Sequence, residues 1–387
     1  MKIITFFTLA LVAFSQLGCK PKTTAPTQGM VEINLMQPVQ NADWSTILEL
    51  KGFVALASPE PFKMLSNILY ADGKIITLDV DNDYEAIRVF DEKTGKYLYD
   101  IGQRTEDDDP EKGYNGVIDI AYNPDRKIIR LLSNGQLRFS DYDLNGKYQG
   151  SMKYDFYGMD LAYLGNDQWV VYNEWYANEK TGNHYLVFYN NKGEIINKAL
   201  PYPKSQNGQA FDFTGFLMRS GNEIWLNVPF SDTVYSISGT QATPRYRMLD
   251  SVALNTGKSS TKVFGDGLSE EIFLEEGFFS NGRYLVFPYQ RNLKLPLGIY
   301  DTKKNLFMDS RNLDKNKVFN KLFIGLDLYA KDASTFSMAI RQDRMLNILS
   351  QDDRNAWEAI LPGLYDTAMG STAAPNSLYL FFYSFKN

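Results

Sequence analysis

The chain has one cysteine, Cys19, and one histidine, His184. A single thiol near the amino terminus excludes internal disulfides, a cysteine-ligated metal and a thiolate nucleophile from the folded part, so the core must stand on packing alone. A single imidazole excludes multi-histidine zinc centres, and no Gly-x-Ser-x-Gly elbow marks a serine hydrolase. His184, just ahead of Tyr185-Leu-Val-Phe188, reads as a loop or strand-edge residue. Long apolar runs are scarce too: the one from Ile3 to Phe14 covers about twelve residues, where a membrane helix needs about 20. Positive charge is not in excess, with 40 Lys and Arg against 46 Asp and Glu. Without a basic face to neutralise phosphates, nucleic acid is not an expected partner.

What the amino terminus does contain is the three-part pattern of an export signal: Lys2, the apolar run, and a small-residue end at Gly18-Cys19. Residues 1–18 are expected to be a signal peptide, 19–30 a Pro/Thr/Lys tether, and 31–387 a folded domain. Cys19 stands where a lipoprotein signal places its acylated cysteine, so it is the expected lipidation site. The expected address is the cell envelope, as an outer-membrane lipoprotein facing either the periplasm or the exterior.

Aromatic residues, at 14%, are plentiful. They fall in a repeated pattern whose clearest copy is Leu69–Ile101, in which the tight turns Ala71-Asp72-Gly73 and Glu92-Lys93-Thr94-Gly95 separate apolar and alternating runs. First turns recur at Asn123-Pro124-Asp125, Gly165-Asn166-Asp167, Ser220-Gly221-Asn222, Asn281-Gly282-Arg283 and Arg341-Gln342-Asp343. The strands that follow them read IITLD, IIRLLS, WVVYNE, EIWLNV, YLVFPY and MLNILS. A second hairpin recurs as IRVFDEKTGKYL, LRFSDYDLNGKYQ, YLVFYNNKGEII and LGIYDTKKNLF. Spacings of about 40 to 60 residues suit four-stranded propeller blades. The expected fold is therefore all-β, a six-bladed β-propeller of four-stranded antiparallel blades. In such a ring an amino-terminal strand commonly completes the last blade, and Phe53–Ala57 is assigned that role beside 377–385. Leu268–Glu276, with Ser269 ahead of two acids, reads as a short helix.

From the Cys19 signal through Val31-Glu-Ile-Asn-Leu35 and Phe53-Val-Ala-Leu56 to Ser377–Lys386, the chain resembles the six-bladed β-propeller lipoproteins common in Bacteroidota, related to NHL and TolB-type propellers. Where many members of those families carry a Gly-rich G-x-G-P-G-E segment, this chain has the acidic stretch Gly102–Gly113. The resemblance implies a fold and an envelope location; it implies no particular activity, because those families mostly lack an assigned one.

Strand reversal within each blade sends the tight turns to one face and the longer connections to the other. Long loops on one rim of a rigid scaffold are where binding residues gather. On that rim the expected ligand-binding residues are Trp175 and Tyr176, either as an aromatic platform or packed against a neighbouring loop, with the acids Asp107, Asp108 and Asp109 around the same mouth. Asp79, Asp81 and Asp83 alternate along one stretch and could either offer oxygen ligands to Ca²⁺ or form a solvated acidic turn. An EF-hand loop is excluded, since its sixth and twelfth positions would be Tyr84 and Phe90. No catalytic residue is nominated and no other cofactor is expected. Two functions stay open: a membrane-anchored binding or scaffold module for a protein, peptide or glycan, and a calcium-dependent propeller enzyme of the lactonase, lyase or glycan-active kind. Carboxylates converging on the central channel would favour the second.

Overall fold

The computed structural model describes residues 29–81, 83–206, 217–221, 223–228, 231–249, 272–275, 277–291, 294–314, 317–323, 327–370 and 376–386. Six antiparallel sheets form the ring of a six-bladed β-propeller. Blade 1 runs Leu65–Ala71, Lys74–Asp81, Tyr84–Asp91, Tyr97–Asp100 from the innermost strand outwards. Blade 2 (Val117–Asn123, Ile128–Ser133, Arg138–Asp143, Tyr148–Lys153) and blade 3 (Asp160–Gly165, Gln168–Tyr172, His184–Asn190, Ile195–Pro201) repeat it. Blade 4 holds Leu217–Ser220, Glu223–Asn227, Thr233–Ser238 and Gln241–Leu249. In blade 5 the innermost strand is broken into Ile272–Leu274 and Phe279–Ser280, both paired with Tyr284–Arg291, and is followed by Leu297–Asp301 and Leu306–Asp309.

The repeated phrases have a local cause. In blade 1 the first turn puts Asp72 and Gly73 at φ +47° and +78°, the doubly positive geometry whose twist matches the flanking strands. At the second hairpin an Asx residue ends the third strand and accepts amides from the turn it caps. Asp91 takes Thr94, Asp143 takes Asn145 and Lys147, Asn190 takes Lys192 and Glu194, and Asp301 takes Lys303 and Lys304. The same device recurs in four blades, and this is why the sequence repeats in phase.

Closure follows the expectation and extends it. Leu48–Ala57 is the outermost strand of blade 6, beside Leu328–Ala330, Thr335–Arg341 and Ser377–Phe385, with Phe53 opposite Phe381 and Ala57 opposite Ser377. Upstream of it, Val31–Asn34 adds a fifth strand, in parallel, to the edge of blade 4. The intervening segment crosses blade 5, where Val39 N–H donates to the Phe307 carbonyl at 2.8 Å and Ala42 N–H to Asn312 at 3.1 Å. The amino-terminal segment thus straps blades 4, 5 and 6. Six buried apolar clusters lie between successive blades, each drawing on two neighbours, so the core is a ring of interfaces around a channel.

Two expectations are corrected. Arg341-Gln342-Asp343 is not the first turn of blade 6, and MLNILS is not a strand: Gln342–Leu349 is the first of three short helices, with Arg354–Ile360 and Leu364–Met369, inserted between the second and third strands. Met345, Ile348 and Leu349 are its buried residues, at the i, i+3, i+4 spacing of one helical face. The turn of blade 6 lies earlier, between Ala330 and Thr335, where Asp332 caps Ser334 and Thr335. The helix expected at Leu268–Glu276 lies partly outside the described residues, and Ile272–Leu274 within it is a strand. Among the described residues no helix is long and apolar enough to cross a membrane.

Candidate functional site

The innermost strands of all six blades enclose a central channel of about 350 Å³. Each of these strands enters at the long-loop face, and three carry one phrase: Asn67-Ile-Leu-Tyr70, Asp119-Ile-Ala-Tyr122 and Asp160-Leu-Ala-Tyr163; Asp327-Leu-Tyr-Ala330 in blade 6 opens in a similar way. Equivalent positions on neighbouring strands meet, and the polar side chains latch blade to blade. The Asn67 amide donates to the Asp119 carboxylate at 2.7 Å, the Leu161 amide donates to Asp119 at 2.8 Å, and the Leu217 amide donates to Asp160. The Asp119 and Asp160 side chains also meet; burial raises the Asp119 carboxyl, while that contact and the Asn67 and Leu161 donors pull it down.

Two more carboxyls reach this lumen. Glu275 falls at the break in the innermost strand of blade 5, where irregular pairing re-aims a side chain. Burial alone pushes its carboxyl up to about 7, and among the described residues no side-chain hydrogen bond or ion pair offsets that burial. Asp327 stands in the solvent-reached lumen, yet the protein around it raises its carboxyl against the pull of Arg341 and Arg344. Towards the turn face the wall is apolar, with Leu161, Leu217, Met218 and Phe278, and the lining ends at Arg219, Lys331 and Asp332. Arg219 donates to the carbonyls of Tyr163 and Gly221, and Lys331 is paired with Glu92 at 2.6 Å.

The second concavity lies on the long-loop rim between blades 2 and 3. Tyr157, half exposed at 50%, and Tyr176 face each other with ring centroids 5.6 Å apart. With Leu137, Asp155 and Asn178 they line a slot of about 360 Å³. The acidic stretch packs beside it, because Gln136 donates to the Asp107 carbonyl at 3.0 Å and Arg138 to the Asp108 carbonyl at 2.9 Å.

A family model described as a domain of unknown function, DUF4934, matches residues 62–362. The chain belongs to the DUF4934 family. Its match begins after the closing strand Leu48–Ala57 and ends before Ser377–Phe385, so both partners of the ring closure lie outside it. No curated protein matches the chain. Among solved structures it is similar to a Bacteroides fragilis protein described as exported, 16% identical over 92% of this chain and 100% of that one, with a TM-score of 0.70. It is also similar to a DUF4221 family member from Bacteroides vulgatus, 10% identical over 88% and 99% of the two chains, with a TM-score of 0.52. At these identities the likeness is one of fold, and it bears out the resemblance to Bacteroidota six-bladed propellers.

Within this DUF4934 propeller the residues picked from sequence have mixed placements. Cys19 lies outside the described residues. Trp175 and Tyr176 both border the rim slot, but Trp175 is not the exposed platform expected: it is 1% exposed, with its indole N–H donating to the Tyr185 hydroxyl at 3.0 Å. The loop folds back on itself, through Asn173 N–H to the Tyr185 carbonyl at 2.7 Å, and carries the ring inward. Asp107, Asp108 and Asp109 share the rim but do not present bare charge. Lys112 pairs with Asp107 at 2.6 Å, Arg138 and Lys153 flank Asp108, and Asp109 accepts the Glu111 amide. Asp79, Asp81 and Asp83 do not form a ligand set: Asp79 is buried in a strand and accepts the Lys63 and Met64 amides and Arg88, while Asp81 and Asp83 are exposed at the hairpin end. Among the described residues no three carboxylate, imidazole or thiol groups are placed to hold one metal ion, so the Ca²⁺ reading finds no fitting site here. The channel residues were missed from sequence, although the repeated Asn/Asp-aliphatic-x-Tyr phrase was there to find them.

Proposed function

We propose that this chain is a lipid-anchored binding module of the cell envelope that takes a glycan, peptide or protein partner on its long-loop rim, with a glycan best matched to the slot. The observation that carries this is the pair Tyr157 and Tyr176 beside Asp155, which is paired with Lys180, and Asn178, whose amide bonds the Asp155 carbonyl. Aromatic faces accept the C–H side of a sugar ring while carboxylate and amide groups meet its hydroxyls. The rim loops stand on rigid blades, which limits the entropy lost on binding. The exported description of the Bacteroides fragilis neighbour supports the envelope address, as does the signal ending at Cys19.

Two measurements test the two halves of this reading. On a glycan array the purified protein is expected to select a set of related sugars, and Tyr157→Ala with Tyr176→Ala to weaken their binding at least tenfold, about 1.4 kcal/mol. Tyr157→Ala, at a half-exposed position, should change stability by no more than about 0.5 kcal/mol. Peptide capture in place of sugars would change the partner class, and undiminished binding by the double variant would remove the slot from the function. Separately, Cys19→Ala is expected to abolish lipid labelling and release the protein from the membrane fraction, since the several acyl chains of a lipoprotein cysteine supply the anchoring that one chain cannot. Unchanged partitioning would refute the anchor.

A further inference from the structure

We propose that the central channel is a second site, distinct from the rim slot, which binds a small organic cation: an ammonium group carried on an apolar body. The cavity, about 350 Å³, falls in the range of small-molecule pockets and is bounded by every blade, so its shape is set by the ring and not by loops. Its two ends differ in chemistry. At the long-loop end Asp160, Glu275 and Asp327 face the lumen from blades 3, 5 and 6. The Asp119–Asp160 pair is already satisfied by the Asn67, Leu161 and Leu217 donors. Glu275 has no side-chain hydrogen bond or ion pair among the described residues, and Asp327 is answered by Arg341 and Arg344 through charge alone, so a cation entering the lumen would supply the partner that Glu275 lacks. The middle, where Leu69, Met218, Tyr329 and Ala330 are partly exposed among the lining residues, is mainly apolar and suits a hydrocarbon or aryl body. The positive groups at the turn face are held elsewhere, Arg219 by backbone carbonyls and Lys331 by Glu92, and Arg341 and Arg344 act on Asp327, which leaves Glu275 as the acid without a countercharge. Because no three acids among the described residues are grouped for a metal, the spread of charge fits the several N–H donors of an ammonium head better than a metal ion.

Isothermal titration of the purified protein with phenethylamine, and with 2-phenylethanol and 3-phenylpropionate as neutral and anionic counterparts of similar size, tests this. Phenethylamine is expected to bind saturably with one site per chain, and the alcohol and the acid at least tenfold more weakly. Glu275→Gln combined with Asp327→Asn should weaken the amine at least tenfold while the melting temperature holds. Met218→Trp, which fills the lumen, should remove binding, and Tyr157→Ala on the rim should leave it unchanged. Should Met218→Trp fail to fold, the isosteric Glu275 and Asp327 variants still decide the matter. Absence of saturable phenethylamine binding, equal affinity for the alcohol, or indifference to the Gln and Asn replacements would each overturn the proposal. Loss of glycan binding with the channel site intact would fail the rim reading alone.

Discussion

A chain from which residues 31–57 are deleted is expected not to fold. The deletion removes the outermost strand of blade 6, the fifth strand of blade 4 and the strap that crosses blade 5 between them. With it go Ile33, Leu35, Trp44, Leu48 and Leu56, all at or below 1% exposure. At about 1.5–3 kcal/mol for each large apolar side chain transferred from water, these five amount to roughly 8–15 kcal/mol, which is the whole net stability of a typical domain at about 5–15 kcal/mol. The loss is not spread evenly. Ser377–Phe385, SLYLFFYSF, would become a nine-residue open edge of almost wholly buried character, a template for pairing between chains. The truncated protein should lack a cooperative thermal transition and sediment as aggregate, whereas deletion of the tether residues 20–28 should leave melting unchanged. Soluble, cooperative unfolding of the chain lacking 31–57 would show that the ring is closed by something other than this strand.

The distribution of legible and illegible features follows from how local each one is. Blades 1, 2, 3 and 5 could be read because their second hairpins depend on one Asx side chain and a positive-φ residue three or four positions on, a requirement met within six residues of sequence. The closing strand was legible for a topological reason, since the last blade lacks its outermost strand unless the amino-terminal segment supplies it. Blade 6 was misread because MLNILS satisfies strand composition and helical spacing together, and only packing of Met345, Ile348 and Leu349 in the cluster between blades 5 and 6 selects the helix. Trp175 was misplaced by a general rule, that loop aromatics face solvent, which the backbone bond from Asn173 to Tyr185 overrides locally. The rim acids were located but misjudged in charge, because Arg138 and Lys153 come from strands 30 or more residues away in sequence. The channel carboxyls were the least accessible of all: what makes Asp119 and Asp160 distinctive is that each accepts a donor from a neighbouring blade, and no single blade's sequence contains that pairing.

Arg130→Ala is expected to cost about 3–5 kcal/mol, the effect of breaking a buried ion pair from one side. Arg130 lies on the second strand of blade 2, directly opposite Asp141 on the third. Its guanidinium holds that carboxylate by two bonds of 2.7 and 2.8 Å, with 3% of the Arg side chain and 13% of the Asp side chain exposed. The other face of the guanidinium lies 4.1 Å from the ring centroid of Trp169 on blade 3, so the same group that satisfies Asp141 also fills the interface between blades. Truncation would leave a carboxylate with little water to replace the fork and a hollow against Trp169. Lys at this position keeps the charge but not the planar two-pronged geometry or the stacking, and should recover only part of the loss. The decisive comparison is Arg130→Leu with Asp141→Leu: removing both charges leaves no stranded ion and restores apolar volume, so the double variant should melt within about 1 kcal/mol of the parent. Chemical denaturation of the two single variants and the double variant gives the coupling directly. If Arg130→Ala costs under about 1 kcal/mol, the pair behaves as an exposed surface bridge would, and its place in holding blade 2 to blade 3 is disproved.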